Sequence, residues 1–192
     1  MRRTANTVIL SICLILTVTA CSNSPTGRNQ LLLFSGDQMA DLGLRSFEEM
    51  KQSQPISQDK AVNTYVQCVT EAILKVVPPQ VDFSEWEVVV FDSEQVNAFA
   101  LPGGKVGVYT GLLNVAETPD QLAAVIGHEI GHVLADLSNE RLSRSLLAAL
   151  GLTITGMSLS DSPHAAMAMA GLGLGVQVGI LLPYNRAQES ES

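Results

Sequence analysis

The sequence predicts an α+β fold that is mostly α-helical, with a small β-sheet or hairpin beside one central helix. Apolar residues recur at helical spacing over 35–77 and again over 118–137. Between these two stretches the chain is rich in β-formers and contains a Pro-Gly-Gly turn signal. The chain has 192 residues, of which 46% are hydrophobic, so one ordinary domain with a sizeable core is expected.

Residues 1–20 have the features of a secretory leader. A basic start precedes an apolar run, Val8 to Val18, that is too short for a comfortable membrane span. The stretch Val18-Thr19-Ala20-Cys21 resembles a bacterial lipobox, which predicts that Cys21 is the lipidated first residue of the mature chain. A plain secretory signal and an uncleaved anchor helix are the alternatives. Ser22 follows the cysteine where an Asp could stand, and by analogy with Gram-negative lipoproteins this favours the outer membrane.

The charge and the cysteine content of the chain argue against two features, a nucleic-acid partner and a disulfide within the domain. The formal net charge is −8, which argues against a nucleic-acid partner. Cys13 leaves with the leader and Cys21 takes the lipid, so Cys68 remains alone. No disulfide within the domain is therefore expected, although the predicted compartment is oxidising.

Residues 21–34 are predicted to be the lipidated cysteine and a tether, because they begin with a run rich in Ser, Asn, Pro and Gly. The folded domain is expected over 35–192. Its first helix starts at Ser35, with Gln38 completing a capping box. Apolar residues near one face of this helix are Met39, Leu42, Phe47 and Met50. A second helix is expected over 57–77.

Three strands are predicted next. They are Trp86 to Phe91, Val96 to Leu101 and Lys105 to Thr110, and Pro102-Gly103-Gly104 joins the last two as a hairpin. An edge strand can pair with the extended backbone of a bound polypeptide. The candidate residues for such an edge are Asn97, Ala98, Phe99 and Ala100. An ordinary strand without a binding role is the alternative.

The central helix is predicted over Thr118 to Leu137. Thr118 is its N-cap, Pro119 takes the first helical position and Gln121 stands three residues after the cap. One apolar stripe should enter the core; it consists of Leu122, Ile126, Ile130, Val133 and Leu137.

His128, Glu129 and His132 form an HExxH motif on this helix. Imidazoles four residues apart leave one side of a helix together and can share one tetrahedral Zn²⁺ that keeps a position open for water. The metal lowers the pKa of that water towards ~7. Glu129 is then the general base and not a ligand. A buried helix with two incidental histidines is the alternative interpretation.

The stretch from Leu146 to Leu182 is rich in Gly, Ala, Met and Leu and predicts a helical hairpin. Its second arm, Ala165 to Leu182, contains one polar residue, Gln177, and approaches the length of a transmembrane helix. Its small residues suit close helix packing equally well. We favour a buried or partner-facing hairpin over a membrane span.

Four motifs occur in order and resemble a known family. They are Asn97-Ala98-Phe99-Ala100-Leu101-Pro102-Gly103-Gly104, Tyr109-Thr110-Gly111-Leu112-Leu113, His128-Glu129-Ile130-Gly131-His132 and Arg186-Ala187-Gln188-Glu189-Ser190-Glu191. Together they are similar to HExxH zinc metallopeptidases related to the CAAX prenyl endopeptidases and to the heat-shock membrane protease of bacteria. The branch of periplasmic lipoproteins and outer-membrane-assembly proteases is the most similar.

The resemblance implies a zincin-like (gluzincin) metallopeptidase domain that binds one Zn²⁺ per chain. It also implies that Glu189 is the third ligand, as the first Glu of a Glu-x-Glu-Ala-Asp motif. Here Ser192 stands in place of the family's Ala, and the chain ends before the Asp. The sequence is therefore expected to be truncated relative to the family.

The function expected from this resemblance is zinc-dependent endopeptidase activity in the bacterial cell envelope. Its substrates are polypeptides, in particular misassembled or damaged envelope proteins, and outer-membrane assembly proteins are possible partners. The lipid at Cys21 attaches the protein to the membrane, facing the periplasm. The alternative is a catalytically weak or inactive chaperone-like lipoprotein that keeps the protease fold.

Overall fold

A computed structural model describes residues 21–77 and 86–159. These residues fall into two compact units. The hairpin unit comprises residues 21–34 and 139–159, and the sheet unit comprises residues 35–77 and 86–138. The described elements in chain order are β1 (Cys21–Asn23), β2 (Asn29–Leu31), α1 (Gly36–Ser53), α2 (Lys60–Leu74), β3 (Glu87–Phe91), β4 (Ala98–Leu101), β5 (Lys105–Tyr109), α3 (Thr110–Leu113), α4 (Pro119–Leu134) and α5 (Leu137–Leu159).

The predicted α+β class, with a small hairpin beside the HExxH helix, is confirmed. In the sheet unit, β5 lies between the other two strands, in the order β3-β5-β4. β3 runs parallel to β5, whereas β4 is antiparallel to it, with Ala98 opposite Val108. Gly103 and Gly104 make the turn between β4 and β5 with φ angles of 81° and 71°, a region that favours glycine.

The two faces of this sheet carry different cores because side chains alternate along each strand. One face packs against α2 and α4 through Val90, Ala98, Ala100, Val106 and Val108, together with buried residues of the two helices. The other face packs against α1 through an aromatic cluster. This cluster consists of Phe47, Phe91, Phe99 and Tyr109, whose ring centroids lie 5.6–6.3 Å apart.

Helix α1 begins where it is predicted. The Ser35 hydroxyl accepts a hydrogen bond from the Gln38 amide, and the Gln38 side chain accepts one from the Ser35 amide, which completes the capping box. The expected apolar face is wrong at one position: Leu42 is 44% exposed. The buried neighbour is Gly43, which lies against the backbone of Pro102 so closely that no side chain fits.

Helix α2 is shorter than expected and is capped by Asp59, whose carboxylate accepts hydrogen bonds from two amides of the first turn. The expected start near residue 57 is wrong. The Ser57 amide donates to the Val90 carbonyl, so residue 57 lies alongside β3. This long-range pairing overrides the helical pattern of the local sequence.

The hairpin unit contains regular structure where a tether is expected from the sequence. β1 and β2 pair antiparallel, with Cys21 opposite Leu31. Glu140 on α5 is fully buried, and both of its carboxylate oxygens accept 2.8 Å hydrogen bonds from the Arg28 guanidinium. Gln30 and Arg144 also donate to this carboxylate. Polar residues of the segment that is predicted to be a tether therefore hold the β1–β2 hairpin against α5.

Glu140 is charged because of these partners. Burial would raise the pKa of its carboxyl, but the hydrogen bonds and positive charges of Arg28 and Arg144 outweigh burial and hold the pKa below its ordinary value. Two further contacts, from the Leu33 amide to the Ser143 hydroxyl and from the Asn139 side-chain amide to the Phe34 carbonyl, continue the attachment. Of the helices that the structure describes, none has the length and apolarity needed to cross a membrane.

Candidate metal centre

Helix α4 carries the predicted site, and its start is set by local sequence. The Thr118 hydroxyl accepts a hydrogen bond from the Gln121 amide, and the Gln121 side chain accepts one from the Thr118 amide. Pro119 occupies the first helical position, where no amide hydrogen is needed. The helix ends at Leu134, so the predicted stretch to Leu137 is too long. Asp136 has a φ of 53°, which breaks the helix before α5 begins.

The buried stripe of α4 orients the motif. Leu122, Ile126 and Ile130 have 0–1% of their surface exposed and face the sheet. His128, Glu129 and His132 are half-buried. With Leu122, Ile126 and Ile130 fixed in the core, the rotation of the helix about its axis is fixed too. The two imidazoles are therefore presented together from adjacent turns.

The geometry of the two imidazoles fits a shared metal ion. The Nε2 atoms of His128 and His132 lie 3.1 Å apart, and the ring planes are inclined by 77°. Two nitrogens bound to one tetrahedral Zn²⁺ at ~2.0–2.1 Å are separated by about 3.3 Å. The observed separation is close to this value. An oxygen of the Glu129 carboxylate lies within 4.8 Å of the two histidine nitrogens, so an acceptor for a proton stands beside the site.

This arrangement supports two chemical roles. The paired imidazoles can hold a divalent cation of the zinc type. The carboxylate is near enough to reach a water at that cation and to accept its proton. Partial burial raises the pKa of the Asp136 carboxyl, four residues beyond His132.

The predicted substrate-binding residues lie on or next to β4, and β4 packs against α4. Ala98 and Ala100 are buried on the α4 side, whereas Phe99 packs into the aromatic cluster on the opposite face. Asn97 is exposed and its carbonyl accepts a hydrogen bond from the Tyr109 amide. The side chains of these four residues therefore do not converge on one pocket. Within the described residues, the second backbone edge of β4 pairs with no strand.

One supporting contact beside β4 is not anticipated from the sequence. The loop between β3 and β4 is fixed by Thr110, whose hydroxyl donates to the Ser93 carbonyl and accepts from the Ser93 amide. Gly111 lies so close to the carbonyl of Glu94 that an added Cβ would overlap it. The Thr-Gly pair after β5 is the sequence signal, since it occurs in one of the motifs quoted above.

Three predicted features lie outside the described residues. They are the leader over 1–20, the apolar arm Ala165 to Leu182 and the third ligand Glu189. Cys21 begins β1.

Comparisons with known sequences agree with the geometry. The sequence profile described as Peptidase family M48 matches residues 60–192. The chain is 29% identical over 176 residues to the mitochondrial metalloendopeptidase OMA1 of Bos taurus, covering 87% of this chain and 34% of the relative. It is 36% identical over 138 residues to the OMA1 of Danio rerio, covering 68% of this chain and 28% of the relative.

A bacterial relative is also similar. The chain is 27% identical over 161 residues to the beta-barrel assembly-enhancing protease of Yersinia pestis, covering 81% of this chain and 32% of the relative. The chain thus spans about a third or less of the length of the relatives it matches.

Proposed function

Because the chain belongs to Peptidase family M48, we propose that it is a zinc-dependent endopeptidase of the bacterial cell envelope. The observation that carries this proposal is the 3.1 Å separation of the His128 and His132 Nε2 atoms, with the Glu129 carboxylate beside them. Metal chelation by two imidazoles and proton transfer by a neighbouring carboxylate are the two requirements of zinc-dependent peptide hydrolysis.

Each residue of the motif has one role in this mechanism. His128 and His132 hold the zinc, and Glu189 is the third protein ligand. Zinc, when bound, supplies the positive charge that polarises the scissile carbonyl and acidifies water. Glu129 accepts the proton of the attacking water and delivers it to the nitrogen of the leaving amine. A carboxylate suits both steps because it regains its original charge at the end of the cycle.

The substrate class follows from the strand beside the helix. We propose that an extended polypeptide pairs with the open backbone edge of β4, at Asn97 to Ala100, and is held across α4. Pairing through the backbone does not depend on the side chains of the substrate. It therefore suits substrates that have an unfolded segment in common but no common sequence. Misassembled or damaged envelope proteins expose such segments. The name of the Yersinia pestis relative, beta-barrel assembly-enhancing protease, supports this choice.

The location of the enzyme rests on Cys21. We propose that this cysteine carries the lipid and attaches the protein to the outer membrane, facing the periplasm. Cys21→Ala should then release the protein into the soluble fraction or leave the leader uncleaved, as mass spectrometry of the N-terminus would show. A wild-type chain with an unmodified N-terminus at a residue other than Cys21 would contradict the proposed anchor.

The catalytic proposal is tested with an unfolded polypeptide, such as reduced casein, as the substrate. Hydrolysis should stop on chelation and return when zinc is added. Glu129→Gln should retain zinc and lose at least about a hundredfold in rate, because it removes the proton acceptor and no ligand. Glu117→Gln, at an exposed carboxylate outside the motif, is the matched control and should retain full activity.

Two outcomes would overturn this assignment. Full hydrolysis by Glu129→Gln would remove its role as the base. Zinc-loaded wild-type protein that binds casein without cleaving it would favour the chaperone-like alternative.

A further inference from the structure

One side of α5 is bound over its first turns by the chain's own N-terminal segment. Asn139 and Ser143 are buried on this side: the Asn139 side-chain amide donates to the Phe34 carbonyl, and the Ser143 hydroxyl accepts from the Leu33 amide. Four leucines continue the same side along the helix, because each follows Asn139 or Ser143 by three, four or seven residues. They are Leu142, Leu146, Leu147 and Leu150. We call these four residues the leucine stripe.

The leucine stripe is open where the N-terminal segment no longer reaches it. The exposed fraction of its side chains rises along the helix, from 38% at Leu142 to 49% at Leu150. Adjacent leucines exposed on one helix side form an apolar surface, and such surfaces mark sites of interaction. Because the stripe continues the side that already binds the chain's own backbone, an apolar segment of the same chain is the natural occupant.

The chain has an apolar segment of matching length shortly after α5. Residues 165–182 contain no charged side chain and one polar one, Gln177. Residues 160–164 separate this segment from α5, and a connection of this length is typical of two helices packed antiparallel. From Leu142 to the end of α5 at Leu159 there are 18 residues, as many as in 165–182. Each stretch is about 27 Å long as a helix.

From these observations we propose that residues 165–182 dock on the leucine stripe as the antiparallel partner of α5, and that this docking holds Glu189 at the metal centre. In this arrangement residue 182 lies beside Leu142, near the start of α5. The next seven residues, up to Glu189, can span up to roughly 25 Å. The start of α5 is three residues beyond the end of α4, which carries His132, so a return to the histidines is within reach.

The leucines of the stripe are then positioning residues, since they act on the metal through Glu189 and do not touch it. This effect on zinc rests on the proposed role of Glu189 as the third ligand, whereas the docking itself does not. The two parts are therefore tested by separate measurements.

Crosslinking tests the docking in the mature chain, residues 21–192, with Cys21→Ser and Cys68→Ser so that no other thiol is present. In the antiparallel register Leu150 lies opposite residue 174. A short bismaleimide should therefore link the two cysteines of Leu150→Cys/Leu174→Cys within one chain, as mass spectrometry of a digest would show.

Ser145→Cys/Leu174→Cys is the matched control, since Ser145 is exposed but lies on the opposite side of α5 from Leu150. It should remain unlinked. The absence of a link from residue 150 within the chain, or equal linking from residue 145, would overturn the docking. A link from residue 150 to a second chain would also overturn it, because another copy would then occupy the leucine stripe.

Zinc affinity, measured by competition with a chelator, tests the coupling to the metal centre. Leu146→Gln/Leu150→Gln should weaken zinc binding about tenfold, because the third ligand is no longer held in place. Adding Glu189→Gln to this variant should cause no further loss, since both changes remove the same ligand. Leu42→Gln/Leu44→Gln on α1 is the matched control, with leucines 44% and 43% exposed, and should bind zinc like the parent.

Leu146→Met/Leu150→Met keeps the stripe apolar and should bind zinc like the parent. Unchanged zinc affinity in Leu146→Gln/Leu150→Gln would overturn the positioning role of the leucines. A further loss on adding Glu189→Gln would do the same, because the two changes would then act independently. If Glu189→Gln alone leaves zinc affinity unchanged, the proposed ligand and the coupling both fail, while the crosslink still decides the docking.

Discussion

Thr110 and Ser93 are joined by a reciprocal pair of hydrogen bonds, in which the Thr110 hydroxyl accepts from the Ser93 amide at 3.0 Å and donates to the Ser93 carbonyl at 2.9 Å. One side chain thus satisfies both backbone groups of a residue 17 positions away. The contact fixes the loop that leads into β4. The Gly111 amide also donates to the Ser93 carbonyl at 2.8 Å, so the Thr110 hydroxyl and the backbone together hold the start of this loop.

Thr110→Val should destabilise the protein while keeping the shape of the side chain. The variant leaves the Ser93 amide without its acceptor, whereas the Ser93 carbonyl keeps a 2.8 Å hydrogen bond from the Gly111 amide. The free energy of unfolding should therefore fall by about 1–3 kcal/mol. Urea unfolding followed by circular dichroism measures the difference. Thr110→Ser keeps the hydroxyl and is the control. If Val and Ser variants unfold at the same urea concentration, the hydrogen-bond pair has no stabilising role.

Glu189→Gln should weaken zinc binding, because two histidines leave a catalytic zinc site one protein ligand short. A neutral amide is a poorer ligand than a carboxylate, so we expect a loss in affinity of about tenfold or more, measured by competition with a zinc chelator. Glu191→Gln is the control. The family resemblance matches Glu189, and not Glu191, to the third ligand, so this replacement should leave zinc affinity unchanged. Equal affinity of the Glu189→Gln and parent chains would remove Glu189 from the site.

Glu140→Gln should lower the free energy of unfolding by about 1–3 kcal/mol at pH 7, because the buried side chain loses its charge and the partly exposed Arg28 and Arg144 lose their charge partner. The difference should depend on pH. Since the folded-state pKa of Glu140 is below its ordinary value, the stabilising contribution is complete above ~4.3 and is lost as the pH falls through the folded-state pKa. The parent and variant stabilities should therefore converge in acid.

The matched control for Glu140 is Glu49→Gln, at an exposed carboxylate on α1. It should change the unfolding free energy by less than about 0.5 kcal/mol at either pH. A constant difference between Glu140→Gln and parent from pH 7 to pH 3 would show that the carboxylate charge does not contribute to stability.

Gly43→Ala should destabilise α1 against the β4–β5 turn, because the new methyl group would overlap the carbonyl oxygen of Pro102. The neighbour is backbone and cannot rotate away, so we expect a loss of about 1–3 kcal/mol. Gly151→Ala on α5 is the control, since a Cβ there has open space, and alanine should stabilise that helix by up to ~1 kcal/mol. A Gly43→Ala variant as stable as the parent would mean that the turn can move aside. Differential scanning calorimetry distinguishes these results.

The parts of the fold that depend on neighbouring residues could be predicted from the sequence. Ser35 and Thr118 cap their helices through bonds to residues three positions later, and His128 and His132 are brought together by the helical repeat alone. The helix caps and the pairing of the two histidines both depend only on residues within four positions of one another. The zinc-type centre, apart from its third ligand, could therefore be predicted from the sequence.

The parts that depend on distant residues could not be predicted. Arg28 and Glu140 are 112 positions apart, and a polar run with one arginine gives no sign of a buried partner. The exposure of Leu42 follows from the close approach of Gly43 to Pro102. The spacing of apolar residues in the sequence does not show this contact. Likewise, the alternation along β4 separates Ala98 from Phe99, so a continuous substrate-binding stretch in the sequence becomes two opposite faces in the sheet.

The open edge of β4 is also a site at which two copies of the protein could associate. A strand edge that accepts the backbone of any extended polypeptide accepts the same edge of another copy, and such pairing is a common route to aggregation. β4 is four residues long, and its sequence, Ala-Phe-Ala-Leu, has no charged side chain to repel a second copy. Brevity is then the main protection, since a four-residue strand offers few backbone hydrogen bonds to a second copy. If substrates pair with this edge as proposed, lengthening β4 would strengthen self-association together with substrate binding. The short strand would then limit how tightly the edge holds a polypeptide.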